Sequence, residues 1–98
     1  MRFMLKATVP VESGNRVIQE GTMVRTIQSF IEDNKPEAVY FFSYHGDRTL
    51  LAFVDIQDAS QVAVIGEPLY AQLNAAVEFL PVMTPEDIMK ALQNLGQK

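Results

Sequence analysis

No cysteine occurs among the 98 residues. That absence excludes a disulfide framework, a thiol nucleophile and any cysteine-held zinc or iron–sulfur site. One histidine is present, His45, so histidine-rich metal sites are excluded and Ser-His-Asp catalysis is disfavoured. No apolar run approaches the ~18 residues of a membrane span. Positive charge is sparse: eight Lys and Arg, never adjacent, stand against twelve Asp and Glu, for a net charge of −4. Nucleic-acid binders gather cations to neutralise phosphates, so no nucleic-acid partner is expected. Internal repeats and low-complexity segments are also missing. The opening Met1-Arg2-Phe3-Met4-Leu5-Lys6 is too short an apolar stretch for a secretory leader. A cytoplasmic protein without a membrane segment is the expectation.

What is present suits one domain over residues 1–98. Hydrophobic content of 48% and charged content of 20% are ordinary for a globular chain and exclude intrinsic disorder. A chain of this length can bury one core without staples.

Arg2 to Val9 alternates: Phe3, Leu5, Ala7 and Val9 on one face, Arg2, Met4, Lys6 and Thr8 on the other. That period predicts a strand, ended by Pro10, which donates nothing to a ladder. A helical stretch follows, capped by Ser13 or Asn15 and broken at Gly21. Thr22 caps its second segment, whose stripe is Met23, Val24, Ile27, Phe30 and Ile31. Lys35-Pro36 stops it. Ala38 to Tyr44 is rich in aromatic and β-branched residues, and Thr49 to Ile56 is a second such run. With His45-Gly46-Asp47-Arg48 as the turn, they predict a hairpin. Asp58 caps a further helical region, with Gln61 in the capping-box position. Gly66 and Pro68 are expected to interrupt that region before Leu69, Tyr70 and Leu73 continue it. Ala75 to Pro81 is the fourth strand. Thr84-Pro85-Glu86-Asp87 combines a cap, a first-position proline and first-turn acids. It opens a helix with the stripe Ile88, Met89, Leu92 and Leu95, ended by Gly96.

The order β-α-β-β-α-β plus a C-terminal helix predicts an α+β, ferredoxin-like fold, with a four-stranded antiparallel sheet in the order 4-1-3-2. Helices then cover one sheet face, and a monomer needs the other to be polar. It is not: each strand is apolar on both faces, as in Val39 and Phe41 against Tyr40 and Phe42. The expectation is a homodimer whose two sheets face each other and close into a barrel. The alternative is a monomer whose C-terminal helix folds back over the second face.

The strand order and two-faced strands resemble the dimeric α+β barrel superfamily, which includes muconolactone isomerase, antibiotic-biosynthesis-type monooxygenases and YCII-related proteins. Val77-Glu78-Phe79-Leu80-Pro81-Val82-Met83 is similar to the last strand of YCII-related chains, and Met1-Arg2-Phe3-Met4-Leu5 to their first. The later Asp-Gly-Pro-Phe signature of one branch is missing. The resemblance implies a dimer around a barrel cavity, with or without catalysis, and the chain is most like a small member without an assigned activity.

The candidate pocket residues are Lys6, Glu78, Tyr40, Phe42, Tyr44, His45 and Phe53. Lys6 and Glu78 lie inside apolar strands that become neighbours in the order 4-1-3-2, and charges there are seldom buried unpaired. They read either as polar anchors of a pocket, placed for acid–base work, or as an ion pair fixing strand register or dimer geometry. Were both buried, Glu78→Gln would cost about 1–3 kcal/mol. His45, beside Asp47, reads as a general base or as a solvated turn residue. Arg48 reads as a carboxylate ligand or as a charge guarding the hairpin edge. Tyr40, Phe42 and Tyr44, joined by Phe53, form a wall for a flat apolar ligand, or else barrel core or dimer interface.

No metal and no cofactor are expected. Asp55, Asp58, Glu67, Glu86 and Asp87 are dispersed and match no EF-hand spacing. Ser13-Gly14-Asn15 matches no phosphate loop, and neither a nucleophile elbow nor a zinc-protease motif occurs. Three functions stay open. The first is a homodimer binding a small apolar or aromatic ligand. The second is a cofactor-independent isomerase or monooxygenase. The third is an interaction module with a filled barrel.

Overall fold

A computed structural model describes residues 1–96. The elements run β1 (Arg2–Val9), α1 (Val11–Gln19), α2 (Thr22–Asn34), β2 (Ala38–Tyr44), β3 (Asp47–Asp55), α3 (Ser60–Leu73), β4 (Ala76–Pro81) and α4 (Pro85–Gly96). The sheet is antiparallel in the order β2-β3-β1-β4. This is the expected α+β, ferredoxin-like arrangement.

The alternation in β1 sets the two layers. Leu5, Ala7 and Val9 are buried, as are Leu50, Ala52 and Val54 on β3. Helices α1 to α3 cover this face through Val17, Phe30, Ile65, Leu69 and Leu73. Leu5 and Leu69 are closed to solvent, and burying each contributes roughly 1.5–3 kcal/mol. No helix among the described residues is long and apolar enough to cross a membrane.

Local chemistry departs from the expected boundaries in four places. Helix α1 starts directly after Pro10, whose extended backbone leads into it, and Gly14 N–H bonds the Pro10 carbonyl at 2.8 Å. Ser13 is therefore inside the helix and buried, its hydroxyl donating to Pro10 O at 3.3 Å. Neither it nor Asn15 caps. At the next start the left-handed Gly21 is the cap residue and Thr22 is the first helical position. The hairpin turn is tighter than expected: Tyr44 pairs with Asp47, leaving only His45 and Gly46 in the loop. Their φ values of 53° and 83° are the double left-handed pair of a type I′ turn.

The fourth correction is α3, which is continuous from Ser60 to Leu73 and not interrupted by Gly66 and Pro68. Pro68 cannot donate to the Val64 carbonyl. Both residues line the open groove between α2 and α3, where water can take that carbonyl. Gly66 sits under the Phe79 ring, and a Cβ there would lie 3.3 Å from it. Glycine lets the helix approach β4 this closely. The cap residue of α3 is Ala59 and not the expected Asp58; Asp58 stands one residue ahead, its Oδ1 accepting the Ser60 N–H at 3.2 Å and its own N–H donating to Gln61 Oε1 at 3.0 Å.

Helix α4 starts at the expected Thr84 cap, and the cap is a reciprocal box: Asp87 N–H donates to Thr84 Oγ1 at 3.1 Å, and Thr84 N–H to Asp87 Oδ2 at 2.9 Å. It does not fold back over the second sheet face. None of its residues is buried, and its whole stripe, Ile88, Met89, Leu92 and Leu95, is exposed. The protein measures 56 Å along its longest axis against 27 and 18 Å along the others. An eight-residue strand spans only ~27 Å, so α4 prolongs the molecule beyond its sheet.

Candidate functional site

The pleat sends alternate side chains of each strand away from the helices. Register assigns Met4, Lys6 and Thr8 of β1 to this open face, together with Ala76, Glu78 and Leu80 of β4. Opposite them lie Thr49, Leu51 and Phe53 of β3, and beyond these Ala38, Tyr40, Phe42 and Tyr44 of β2. Six of the seven candidate residues therefore share one face, and His45 stands at its hairpin end. The open side is where the aromatic row belongs, a point its two-sided apolar pattern left undecided.

One row of the face carries a charged pair. Lys6 and Glu78 are direct cross-strand partners, with Nζ and Oε2 4.0 Å apart. The Lys6 ammonium also lies 3.5 Å from the centre of the Tyr44 ring, a cation–π contact. Tyr44 meets Phe42 edge-on at 6.3 Å between ring centres and His45 at 4.1 Å. Glu78, Lys6, Tyr44 and His45 thus form a chain of contacts from strand β4 to the hairpin turn.

His45 has no hydrogen bond to Asp47 among the described residues; its left-handed backbone serves the turn. Arg48 donates to Asn15 Oδ1 at 3.0 Å and tethers the hairpin to α1. The open face is a surface rather than a cavity, so its residues are brought together but not enclosed.

Larger hollows lie elsewhere. A groove of about 350 Å³ runs between α2 and α3, past Arg25, Thr26, Ser29, Asp33 and Gln72. Its α2 wall was readable, since Thr22, Thr26, Ser29 and Asp33 recur at helical spacing. An apolar groove of about 390 Å³ flanks strand β2, lined by Ile18, Met23, Ile27, Phe41 and Phe42. A third, of about 510 Å³, lies at the sheet end beside Arg2, Glu37, Asp55 and Asp87. There Arg2 forks onto Glu37 with bonds of 2.7 and 2.8 Å, which hold the Glu37 carboxyl below its usual range. Backbone and hydroxyl bonds from Thr84 hold Asp87 low as well.

Among the described residues, no three His, Asp or Glu side chains converge as a metal site. What the open face offers chemically is aromatic surface, a guarded ammonium and a carboxylate at its margin. No protein-family profile and no curated protein sequence matches the chain.

Proposed function

We propose that two copies pair through their open faces as a dimeric α+β barrel and enclose a cavity for a small apolar or aromatic molecule. Tyr40, Phe42, Tyr44 and Phe53 supply the walls. Lys6 and Glu78 supply the polar anchors, and His45 stands at the mouth. The observation that carries this reading is the open face itself, aromatic and aliphatic around one charged pair. A face of this kind left in water is a liability unless something covers it. The resemblance to the dimeric barrel superfamily supports the same pairing.

The area sets a further condition. Six paired rows on four strands make a face of roughly 400 Å². A standard interface buries ~800 Å² per partner. The exposed stripe of α4 is available to make up the difference.

Native mass spectrometry of the purified protein tests the reading. A dimer that retains a small molecule is the expected result; a bare monomer overturns it. The Phe42→Asp variant is expected to fall to monomer with an unchanged circular dichroism spectrum, because Phe42 is not part of the buried core. A variant that stays dimeric would place the interface elsewhere.

A further inference from the structure

We infer that the two-fold axis of the pair runs along the strands, so that Glu78 of each copy meets Tyr40 of the second copy. This rests on the pairing proposed above and adds its orientation and the residue that the second copy brings to the site.

The argument starts from one row of the open face. Register places Glu78, Lys6, Leu51 and Tyr40 side by side across β4, β1, β3 and β2. A two-fold that brings two open faces together lies in the plane between them; with the strands of the two sheets aligned, it runs either along the strands or across them. An axis across the strands, through this row, sets Lys6 against Lys6 and Glu78 against Glu78 of the second copy. Moved by half a row spacing, it sets them against Met4 and Leu80, or the other way against Thr8 and Ala76. The first arrangement opposes like charges. The second leaves the Glu78 carboxylate against an apolar side chain whichever way the axis moves.

An axis along the strands behaves differently. A two-fold has no translation, so the row faces itself with its order reversed. Glu78 then meets Tyr40, and Lys6 meets Leu51, of the second copy. The Tyr40 hydroxyl can donate to the Glu78 carboxylate, and the contact occurs twice, as a two-fold demands. Both groups are free to take part: Tyr40 is 58% exposed and the Glu78 side chain 61%. Lys6 keeps its own protomer's Glu78 and Tyr44.

The sheet edges favour the same axis independently. The outer edge of β2, sequence AVYFFSY, has none of the charges or prolines that protect edges. The outer edge of β4 is partly closed, since the Tyr70 hydroxyl donates to the Val77 carbonyl at 3.1 Å. An axis along the strands lays each unprotected β2 edge beside the β4 edge of the second copy. An axis across them stacks the two unprotected edges on each other.

The absence of cysteine makes the test direct. Glu78→Cys and Tyr40→Cys are made separately, checked for unchanged melting, mixed, and treated with a short bifunctional maleimide suited to sheets ~10 Å apart. Covalent dimer is expected from the mixture and from neither variant alone. Covalent dimer from Glu78→Cys alone overturns the inference, and so does its absence from the mixture. The Phe42→Asp variant separates the two levels. If wild type is dimeric, Phe42→Asp is monomeric and the mixture does not cross-link, the pairing stands and its orientation is wrong. If wild type is a monomer, both fail together.

Discussion

Lys6 and Glu78 are direct partners in the β1–β4 register, yet they live in different surroundings. The lysine side chain is 19% exposed and the glutamate 61%. Lys6 is on an inner strand, its stem flanked by neighbours on both sides and its ammonium on the Tyr44 ring. Glu78 is on an edge strand and largely meets water. The pair is therefore a half-exposed one, not the buried pair that would have cost 1–3 kcal/mol to break.

Glu78→Gln is accordingly expected to lower the stability of the isolated protomer by less than about 1 kcal/mol. Urea unfolding in the Phe42→Asp background measures this directly. A larger loss would show that Lys6 depends on the carboxylate more than the 4.0 Å separation indicates.

Tyr44 should matter to Lys6 through its ring and not its hydroxyl. Tyr44→Phe keeps the ring face and is expected to leave stability unchanged. Tyr44→Leu removes it and is expected to cost about 0.5–1 kcal/mol, the usual size of an exposed cation–π contact. Equal losses from both variants in thermal unfolding would assign the effect to the hydroxyl instead.

The hairpin separates the two residues of its turn. Gly46, at φ 83°, has no other side chain near it, so Gly46→Ala tests backbone alone. A left-handed L-residue costs roughly 1–2 kcal/mol, enough to lower the melting midpoint by several degrees. His45→Asn is expected to melt like wild type, because asparagine tolerates the left-handed region well. A marked loss in His45→Asn would show that the imidazole itself, stacked edge-on to Tyr44, holds the hairpin.

Acid should weaken the sheet end through Glu37. Its carboxyl is held below the ordinary value of 4.5, first by the hydrogen bonds from Arg2. The folded state therefore binds fewer protons than the unfolded chain, and the contribution is present above pH 4.5 and lost as pH falls below it. Glu37→Gln should flatten that part of the acid limb in a urea-midpoint series. Added salt should shrink the wild-type effect, since the pair is exposed. Identical acid limbs in wild type and variant would show that other carboxylates carry it.

The sequence by itself determined the layers of this protein. Alternation in Arg2 to Val9 fixed which side chains face the helices, because a strand has a period of two. The aromatic runs around His45-Gly46 determined the hairpin. Thr84-Pro85-Glu86-Asp87 determined the start of α4, because a capping box needs only residues three apart. Even the Lys6–Glu78 neighbourhood followed, once the strand order was inferred from the βαββαβ pattern.

The tertiary structure decided what local chemistry leaves open. Pro68 looks like a helix breaker in sequence, but a groove at its side lets α3 run through it. Ser13 looks like a cap, but Pro10 had already started the helix. Tyr40, Phe42 and Tyr44 alternate with Val39 and Phe41, so either set can face the core. Pairing with β3 put Val39 and Phe41 on the helix side, because β3 itself buries Leu50, Ala52 and Val54 there; Val39 packs against the core, while Phe41 stays 58% exposed. The stripe of α4 says only that the helix has an apolar face. Where that face goes depends on the path of the chain after β4, and that path carries it away from its own sheet.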